Sequence, residues 1–268
     1  MNAAADQAAD AGLYADAAVY DVLMTPGTAR ELDVLERLAR TFAAPARRPL
    51  WLEPACGTGR LLRLAAARGA RAWGFDRAPG MVAYARAALV RRGLHRRAHV
   101  FLADLTDFAD AVARHSVDFA FTPHNTIRHL DSDTALLAHL AGIARVLKPS
   151  GVYAIGLSLT DYAGESPDED VWTARRGGLR VTQIVNYLPP GVAGRGTRRE
   201  RVISHLMVTR GATTLHRDCA YDLRCWSEQQ WNAVLRRAPL RRVASLDASG
   251  RLRAGRRLPY QFEVLATK

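Results

Sequence analysis

Apolar and polar positions alternate in two different ways along this 268-residue chain. In the first 159 residues, short apolar runs are separated by stretches whose apolar residues recur every three or four positions. This pattern predicts buried strands alternating with amphipathic helices. The predicted strands are 50–53, 72–76, 99–102, 117–122 and 152–157, and the predicted helices are 28–38, 60–68, 82–92 and 136–147. Such alternation predicts an α/β fold around a mostly parallel sheet.

The pattern changes after Thr160. Residues 161–170 are rich in acids and proline, which predicts a loop, as does the Lys-Pro-Ser-Gly sequence at 148–151. Apolar residues then recur with period two, which predicts an antiparallel sheet interrupted by a flexible loop at 189–196. The runs with this period are 171–174, 180–188, 201–210 and 213–226. Ser227, with Glu228 and Gln229 behind it, caps a predicted helix, and two strands at 242–247 and 261–267 follow.

The first predicted strand runs into a glycine turn that opens the next helix. The turn contains Glu53, Ala55, Gly57 and Gly59, and the second strand ends at Asp76. Strand, glycine turn and helix open a nucleotide-binding α/β unit, because glycine lets the backbone approach a ligand closely. An acid about twenty residues further on accepts the hydroxyls of a ribose. These residues therefore predict a nucleotide site.

Two features of this turn argue against a dinucleotide. A pyrophosphate fingerprint requires glycine or alanine three residues after Gly59, where this chain has Leu62. The carboxylate of Glu53 would also repel a pyrophosphate, whereas it suits a ligand that carries an ammonium group. The turn therefore favours S-adenosylmethionine over NAD.

These motifs resemble those of class I S-adenosylmethionine-dependent methyltransferases, whose first motif reads acid-x-Gly/Ala-x-Gly-x-Gly. The resemblance extends from about Leu50 to Leu157 and includes the turn before the fifth strand. It implies a Rossmann-like, seven-stranded, mostly parallel sheet flanked by helices, with an inserted antiparallel sheet over the active site. Small-molecule N- and O-methyltransferases, including amino-sugar N,N-dimethyltransferases, are the members it is most similar to. The expected domains are an N-terminal helical cap (1–47), the core (48–159 and 227–268) and an inserted lid (160–226).

The resemblance also implies which residues bind the cofactor. Met81 would pack near the adenine, and Asp104 or its neighbour would meet the adenine amino group. Core packing for Met81 and helix capping for Asp104 are the alternatives. The full expected set is Glu53, Ala55, Gly57, Gly59, Asp76, Arg77, Met81, Asp104, Leu105, Thr122 and Asn125.

Three residues are candidates for catalysis. His129 follows the fourth strand, where ligands of open α/β sheets gather, and an imidazole suits the removal of a proton from an amine or hydroxyl. His124 lies nearer the strand and would shape the cofactor pocket. Tyr20 precedes the first predicted helix, as an active-site tyrosine does in related methyltransferases. The alternative for His129 is that it caps or packs against the following helix, and the alternative for Tyr20 is an aromatic staple of the N-terminal helix.

The formal net charge is +12, and 36 of the 38 basic residues are arginine because Lys148 and Lys268 are the only lysines. A skewed composition explains this arginine content without a polyanion partner. The arginine pairs are 91–92, 96–97, 198–199, 241–242 and 256–257. They leave RNA methylation as an alternative function. The acids Glu165, Asp168, Glu169 and Asp170 are either a solvated loop or a surface for a cationic substrate.

The remaining features of the sequence indicate where the protein is located and which kinds of ligand it binds. Cys56, Cys219 and Cys225 lack disulfide or zinc spacing, so we expect small buried hydrophobes and no metal. The first eighteen residues lack a basic leader, and no apolar run is long enough to span a membrane. We therefore expect a cytoplasmic monomer or homodimer acting on a small-molecule substrate, with S-adenosylhomocysteine as a product. A protein without turnover, and an enzyme that uses S-adenosylmethionine for cyclisation, remain alternatives.

Overall fold

The computed structural model describes residues 12–193, 198–252 and 258–268, and within them the chain forms two compact units. The core unit joins Thr28–Leu159 to Trp226–Lys268, and the insert unit joins the described part of Met1–Gly27 to Thr160–Cys225. Parts of three predictions lie outside the described residues: the start of the N-terminal cap, the end of the 189–196 loop, and Arg256 with Arg257.

The core unit is built on a seven-stranded sheet with the strand order β10-β11-β5-β4-β1-β2-β3. The strands β1 to β5 are parallel, β11 pairs antiparallel with β5, and β10 pairs antiparallel with β11. Their bounds are β1 Leu50–Pro54, β2 Arg71–Asp76, β3 Ala98–Leu102, β4 Val117–Thr122, β5 Leu147–Leu157, β10 Leu240–Asp247 and β11 Gln261–Thr267. This sheet, with the separate antiparallel sheet of the insert unit, confirms the predicted fold class.

Helices cover both faces of this sheet, because its strands are apolar on both sides. Leu52 of β1 packs in one buried cluster with Leu140 and Trp231, whereas the adjacent Trp51 packs in a second cluster with Leu35 and Leu62. Successive side chains of a strand point to opposite faces, so one strand serves two cores. The helices are α2 Thr28–Phe42, α3 Arg60–Ala67, α4 Pro79–Arg91, α5 Asp133–Val146 and α7 Glu228–Arg237.

The insert unit contains a four-stranded antiparallel sheet in the order β6-β7-β8-β9. Helix α1 packs on one face of this sheet, where Val19 and Leu23 meet Val181 and Leu206. The buried Asp21 of α1 also pairs with Arg176 at 2.6 Å. The bounds are α1 Ala17–Met24, β6 Asp168–Arg176, β7 Leu179–Leu188, the short helix α6 Pro190–Ala193, β8 Arg199–Arg210 and β9 Thr213–Arg224.

Three local predictions were wrong in detail. Residues 148–151 are part of β5, where the pairing with β4 shifts register between Leu147 and Val152, so the predicted turn is an irregularity within a strand. Asp168, Glu169 and Asp170 begin β6 and pair with β7, although their composition predicts a loop. The capping box of α7 uses Ser227 and Gln230, one residue beyond the pair named from the sequence.

No described helix is long and apolar enough to cross a membrane. The three cysteines are free thiols; Cys56 and Cys225 are buried and Cys219 is half-buried. Cys56 and Cys225 thus fit the expectation of small buried hydrophobes.

Candidate functional site

The glycine turn follows β1 and consists largely of left-handed backbone. Ala55, Gly57 and Gly59 have φ angles of 51°, 53° and 69°. The N–H of Gly59 donates to the carbonyl of Cys56 at 2.8 Å, and α3 begins at the next residue. Glycine adopts such angles without strain, whereas alanine rarely does, so Ala55 marks a strained position. The turn carries no side chains at Gly57 and Gly59 that would keep a ligand away from its backbone.

Asp76 ties the end of β2 to this turn. Its Oδ2 accepts a 2.8 Å hydrogen bond from the N–H of Gly57, and its Oδ1 accepts a 2.9 Å bond from the N–H of Ala78. Burial raises the pKa of Asp76, while these two donors favour the charged form and act in the opposite direction. The structure therefore fixes the predicted ribose-binding carboxylate directly beside the glycine turn.

Glu53, near the end of β1, is a buried acid with an unsatisfied oxygen. Its side chain is buried, and Oε2 has no hydrogen-bond partner. Burial raises the pKa of Glu53 well above its usual range, although Arg60 and the N–H of Leu62 favour the charged form. Leaving a buried carboxylate oxygen unpaired is unfavourable, so a cation that reached Oε2 would be stabilised.

An ion cluster that the sequence analysis did not predict lies next to Glu53. Arg60 Nη1 lies 2.6 Å from Glu31 Oε2 and 3.1 Å from the Thr28 hydroxyl. His124 Nε2 lies 2.9 Å from Arg60 Nη2 and 2.5 Å from Glu31 Oε1. Burial raises the pKa of Glu31, but His124 and Arg60 outweigh it and leave the pKa below its ordinary value. The cluster joins α2, α3 and the end of β4.

The chain after β4 makes a strained turn that carries two predicted site residues. His124 and Asn125 both have left-handed backbone, with φ angles of 58° and 61°. Asn125 Oδ1 accepts a 2.6 Å bond from the N–H of Ser158, which anchors the turn to the end of β5. The N–H of His124 donates to the Tyr260 hydroxyl at 3.0 Å. Gly156 makes room for that hydroxyl, since a Cβ there would lie 1.8 Å from it.

His129 ends the short 3₁₀ turn Thr126–His129 that follows. Desolvation by the surrounding protein, together with the positive charges of Arg77 and Arg128, lowers the pKa of His129 to about 4. The imidazole is therefore neutral at pH 7 and a weaker base than an ordinary histidine. Because the charge of Arg77 acts on His129, these two residues, which follow different strands, lie in one region of the site.

The other predicted cofactor residues lie at the same edge of the sheet. Met81 is buried near the start of α4. Asp104 Oδ1 accepts bonds from the N–H and hydroxyl of Thr106, at 3.0 and 2.7 Å, within the loop after β3. Asp104 caps no helix, because the next helical turn begins at Phe108. Leu105 is half-buried in the same loop, and Thr122 is fully buried at the end of β4.

The topology explains why these residues meet. Glu53, Asp76, Asp104 and Thr122 each lie at or just beyond the carboxyl end of one of four neighbouring strands, β1 to β4. Parallel strands end at one edge, and ligands of open α/β sheets bind there. Tyr20 belongs to the insert unit, where its ring lies 5.8 Å from that of Tyr14. No group of three or more histidine, cysteine or acidic residues among those described is arranged to hold a metal ion.

Comparisons with known proteins agree with this architecture. A family model described as "Methyltransferase domain" matches residues 52–151. No curated protein matches the sequence.

Several solved structures share the fold. An S-adenosylmethionine-dependent methyltransferase from Clostridium acetobutylicum is 14% identical, with a TM-score of 0.72 over 94% of this chain and 97% of its own. CalS10, an amino pentose methyltransferase from Micromonospora echinaspora, is 19% identical, with a TM-score of 0.68 over 94% of this chain and 95% of its own. The sugar N-methyltransferase KedS8 from Streptoalloteichus is 20% identical, with a TM-score of 0.69 over 96% and 94%. Residues 52–151 therefore form a methyltransferase domain, within a chain that has the fold of class I S-adenosylmethionine-dependent methyltransferases.

Proposed function

We propose that this protein binds S-adenosylmethionine at the carboxyl edge of the core sheet and methylates a nitrogen atom of a small molecule. The observation that carries the cofactor assignment is the buried, unpartnered Oε2 of Glu53 beside the glycine turn. This oxygen suits the ammonium group of the cofactor, because a buried carboxylate gains most from a cationic hydrogen-bond donor. A pyrophosphate at the same place would meet a like charge.

The other residues fit the same ligand. Asp76 is held by two backbone N–H groups and retains lone pairs that accept the ribose hydroxyls. Gly57 and Gly59 let the ligand approach the backbone, and the set Arg77, Met81, Asp104, Leu105, Thr122 and Asn125 would surround the adenosine and the methionine chain. When bound, S-adenosylmethionine supplies a methyl group on a sulfonium, and its transfer depends mainly on proximity and orientation.

His129 would act as the base. An amine arrives protonated at neutral pH and must lose a proton before its lone pair is available. His129 is neutral at this pH, so its ring nitrogen without a hydrogen can take that proton, although the lowered pKa makes the ring a weaker base than an ordinary imidazole. His124 is paired with Glu31 and Arg60, so we assign it to shaping the site and not to proton transfer.

The insert unit supports an amine as the acceptor. One cross-strand row of its sheet contains Asp168, Tyr187, Val202 and Tyr221, which share a face because they are directly paired. The ring of Tyr14 lies 6.2 Å from that of Tyr221, and the carboxylates of Asp170 and Glu200 influence Tyr187 electrostatically. Aromatic faces and carboxylates together attract organic cations. We therefore assign acceptor recognition, and the predicted role of a lid, to the insert unit.

The two sugar methyltransferases of similar fold, CalS10 and KedS8, suggest that an amino sugar is the first acceptor to test. The protein would be incubated with S-adenosylmethionine and matched pairs of sugars that carry an amine or a hydroxyl at the same carbon. Mass spectrometry would follow S-adenosylhomocysteine and the methylated sugar. We expect methylation of the amine and not of the hydroxyl. Methylation of the hydroxyl partners alone would overturn the nitrogen assignment, and release of methylthioadenosine would indicate a different use of the cofactor.

A further inference from the structure

A chain of buried polar side chains crosses the core unit between two segments of the candidate site. His139 of α5 is fully buried, with its Nδ1 2.8 Å from the carbonyl oxygen of Leu105. Its Nε2 lies 2.8 Å from the hydroxyl of Tyr153, a fully buried residue of β5. That hydroxyl in turn lies 2.8 Å from the hydroxyl of Thr122. The chain therefore connects the loop after β3 with the end of β4.

The proton of His139 is placed by the carbonyl group that its Nδ1 faces. Burial lowers the pKa of His139 to about 4, against the opposing influence of Leu105 and Asp104, so the ring is neutral and carries one N–H. The Leu105 carbonyl only accepts, so the proton must be on Nδ1. Nε2 faces the Tyr153 hydroxyl, and that hydroxyl donates to the hydroxyl of Thr122.

Packing alone does not require such a chain. His139 and Tyr153 lie among apolar residues, with the ring of Phe108 5.7 Å from the imidazole. Apolar side chains of similar size would fill this space without a desolvation cost, because buried polar groups stabilise a core only when all are satisfied. What the chain adds is orientation, since its two ends hold Leu105 and Thr122, which belong to segments of the candidate site.

The loop after β3 illustrates this effect. Asp104 and Thr106 bond to each other, and the N–H of Ala103 donates to the carbonyl of Asp76 at 3.2 Å. His139 holds the carbonyl of Leu105 from the side of the core. Fixing that carbonyl fixes the plane of the following peptide, because the peptide unit is planar. The position of Leu105, at the centre of the loop, thus depends on His139 of α5.

We propose that His139 and Tyr153 are positioning residues for the cofactor pocket. They orient Leu105 and Thr122, two residues of the expected cofactor-binding set, without touching the cofactor themselves. This inference rests on the proposed function, because it assumes that the pocket holds S-adenosylmethionine.

The test compares variants that remove different links of the chain. Tyr153→Phe removes only the hydroxyl. His139→Gln places its amide nitrogen near the former Nε2 and loses the bond to Leu105, whereas His139→Asn places an N–H donor near the former Nδ1 and keeps it. Ile143→Val, one turn further along α5 and equally buried, is the matched control for core destabilisation. The dissociation constant of S-adenosylhomocysteine is measured by calorimetry for each protein, and the KM for cofactor and for acceptor is measured where turnover is detected.

We expect the dissociation constant to rise about three- to tenfold in Tyr153→Phe and His139→Gln, as the loss of one buried hydrogen bond implies. His139→Asn should recover most of the affinity, and Ile143→Val should bind as the wild type does. The KM for the cofactor should rise while the KM for the acceptor stays constant. In ¹⁵N spectra of histidine-labelled wild type, His139 should remain the neutral Nδ1–H tautomer near pH 7.

Three results would overturn the inference: equal affinity in Tyr153→Phe and wild type, His139→Asn binding no better than His139→Gln, or a His139 protonated on Nε2. If the folded wild type fails to bind S-adenosylhomocysteine, the proposed function is refuted instead, and the tautomer measurement still tests the arrangement of the chain.

Discussion

The exchange Glu53→Gln separates the role of this residue in the site from its role in the fold. Gln has nearly the same shape as Glu but carries no charge. In the protein without cofactor, Glu53 is buried and its Oε2 has no partner, so the negative charge has no full compensation. We therefore expect opposite effects in two measurements: the variant should bind the cofactor more weakly and unfold at a higher temperature.

The loss of binding can be estimated from the interaction that is removed. A hydrogen bond to a charged group contributes about 1.5–3 kcal/mol. At about 1.4 kcal/mol for each factor of ten, the dissociation constant of S-adenosylmethionine should rise about 10- to 150-fold. The gain in stability is expected because burial disfavours the charged form of Glu53 by more than the attraction of Arg60 favours it. Gln carries no charge and avoids this cost.

The gain in stability should also depend on pH. Because the pKa of Glu53 is raised in the folded state, the folded protein binds more protons than the unfolded chain between the two pKa values. The free energy of unfolding of the wild type therefore falls as pH rises through this range. Glu53→Gln removes this loss of stability. The melting temperature of the variant should therefore exceed that of the wild type by more at pH 8 than at pH 5, and calorimetry of both proteins at both pH values measures the difference.

Asp118→Asn is the matched control. Asp118 is also buried, but its carboxylate accepts a 2.8 Å bond from the N–H of Leu50 and pairs with Lys148 at 2.6 Å, at the start of β4 and away from the candidate site. This variant should lose stability and keep its cofactor affinity. If Glu53→Gln behaves like Asp118→Asn, with lower stability and unchanged affinity, then Glu53 is a structural acid and the ammonium assignment is wrong.

Three further predictions follow from the site. His129→Ala should retain cofactor affinity but lose about 10²- to 10⁴-fold in turnover. The wild-type rate should fall with pH only well below 6.5, since the pKa of His129 is lowered. If the variant keeps this fall in rate at acid pH, His129 is not the base. Asp76→Ala should weaken S-adenosylhomocysteine binding by about 1.5–3 kcal/mol in calorimetry, and unchanged affinity would exclude Asp76 as the ribose acceptor. RNA fragments should bind without sequence preference and be released between about 50 and 200 mM salt in filter binding, whereas selective binding at the higher salt would favour an RNA substrate.

The parts of this fold that the sequence could predict are those encoded locally. The turn at Gly57 and Gly59 and the acid at Asp76 are separated by few residues, and their order along one strand-turn-helix-strand unit determines where they lie. The period of the apolar residues likewise predicted both sheets. These features need no knowledge of contacts between distant segments.

The residues that sequence reasoning missed depend on such contacts. Glu31, Arg60 and His124 are far apart in sequence and meet only because α2, α3 and β4 pack together. A signal existed at Arg60, because a basic residue at the start of a helix opposes the helix dipole and so requires an acidic partner. His139 and Tyr153 gave no such signal, since each occupies an ordinary inward position of an amphipathic element.

Two segments whose composition predicted a loop or a turn instead pair as strands in the folded protein. Asp168 and Asp170 favour a loop by propensity, yet they pair with β7 and extend the sheet, because strand propensity yields to the neighbours available for pairing. The sequence Lys148 to Gly151 favours a turn, but the chain stays extended and absorbs the extra residues as a register shift.

The central claim is that the carboxyl edge of the core sheet is an S-adenosylmethionine site and not a dinucleotide site. Calorimetric titration of the wild-type protein with S-adenosylhomocysteine and, separately, with NAD tests it most directly. We predict saturable binding of S-adenosylhomocysteine at one site per chain and no binding of NAD at the same concentrations. Binding of NAD, or the absence of S-adenosylhomocysteine binding by the folded protein, would contradict the account.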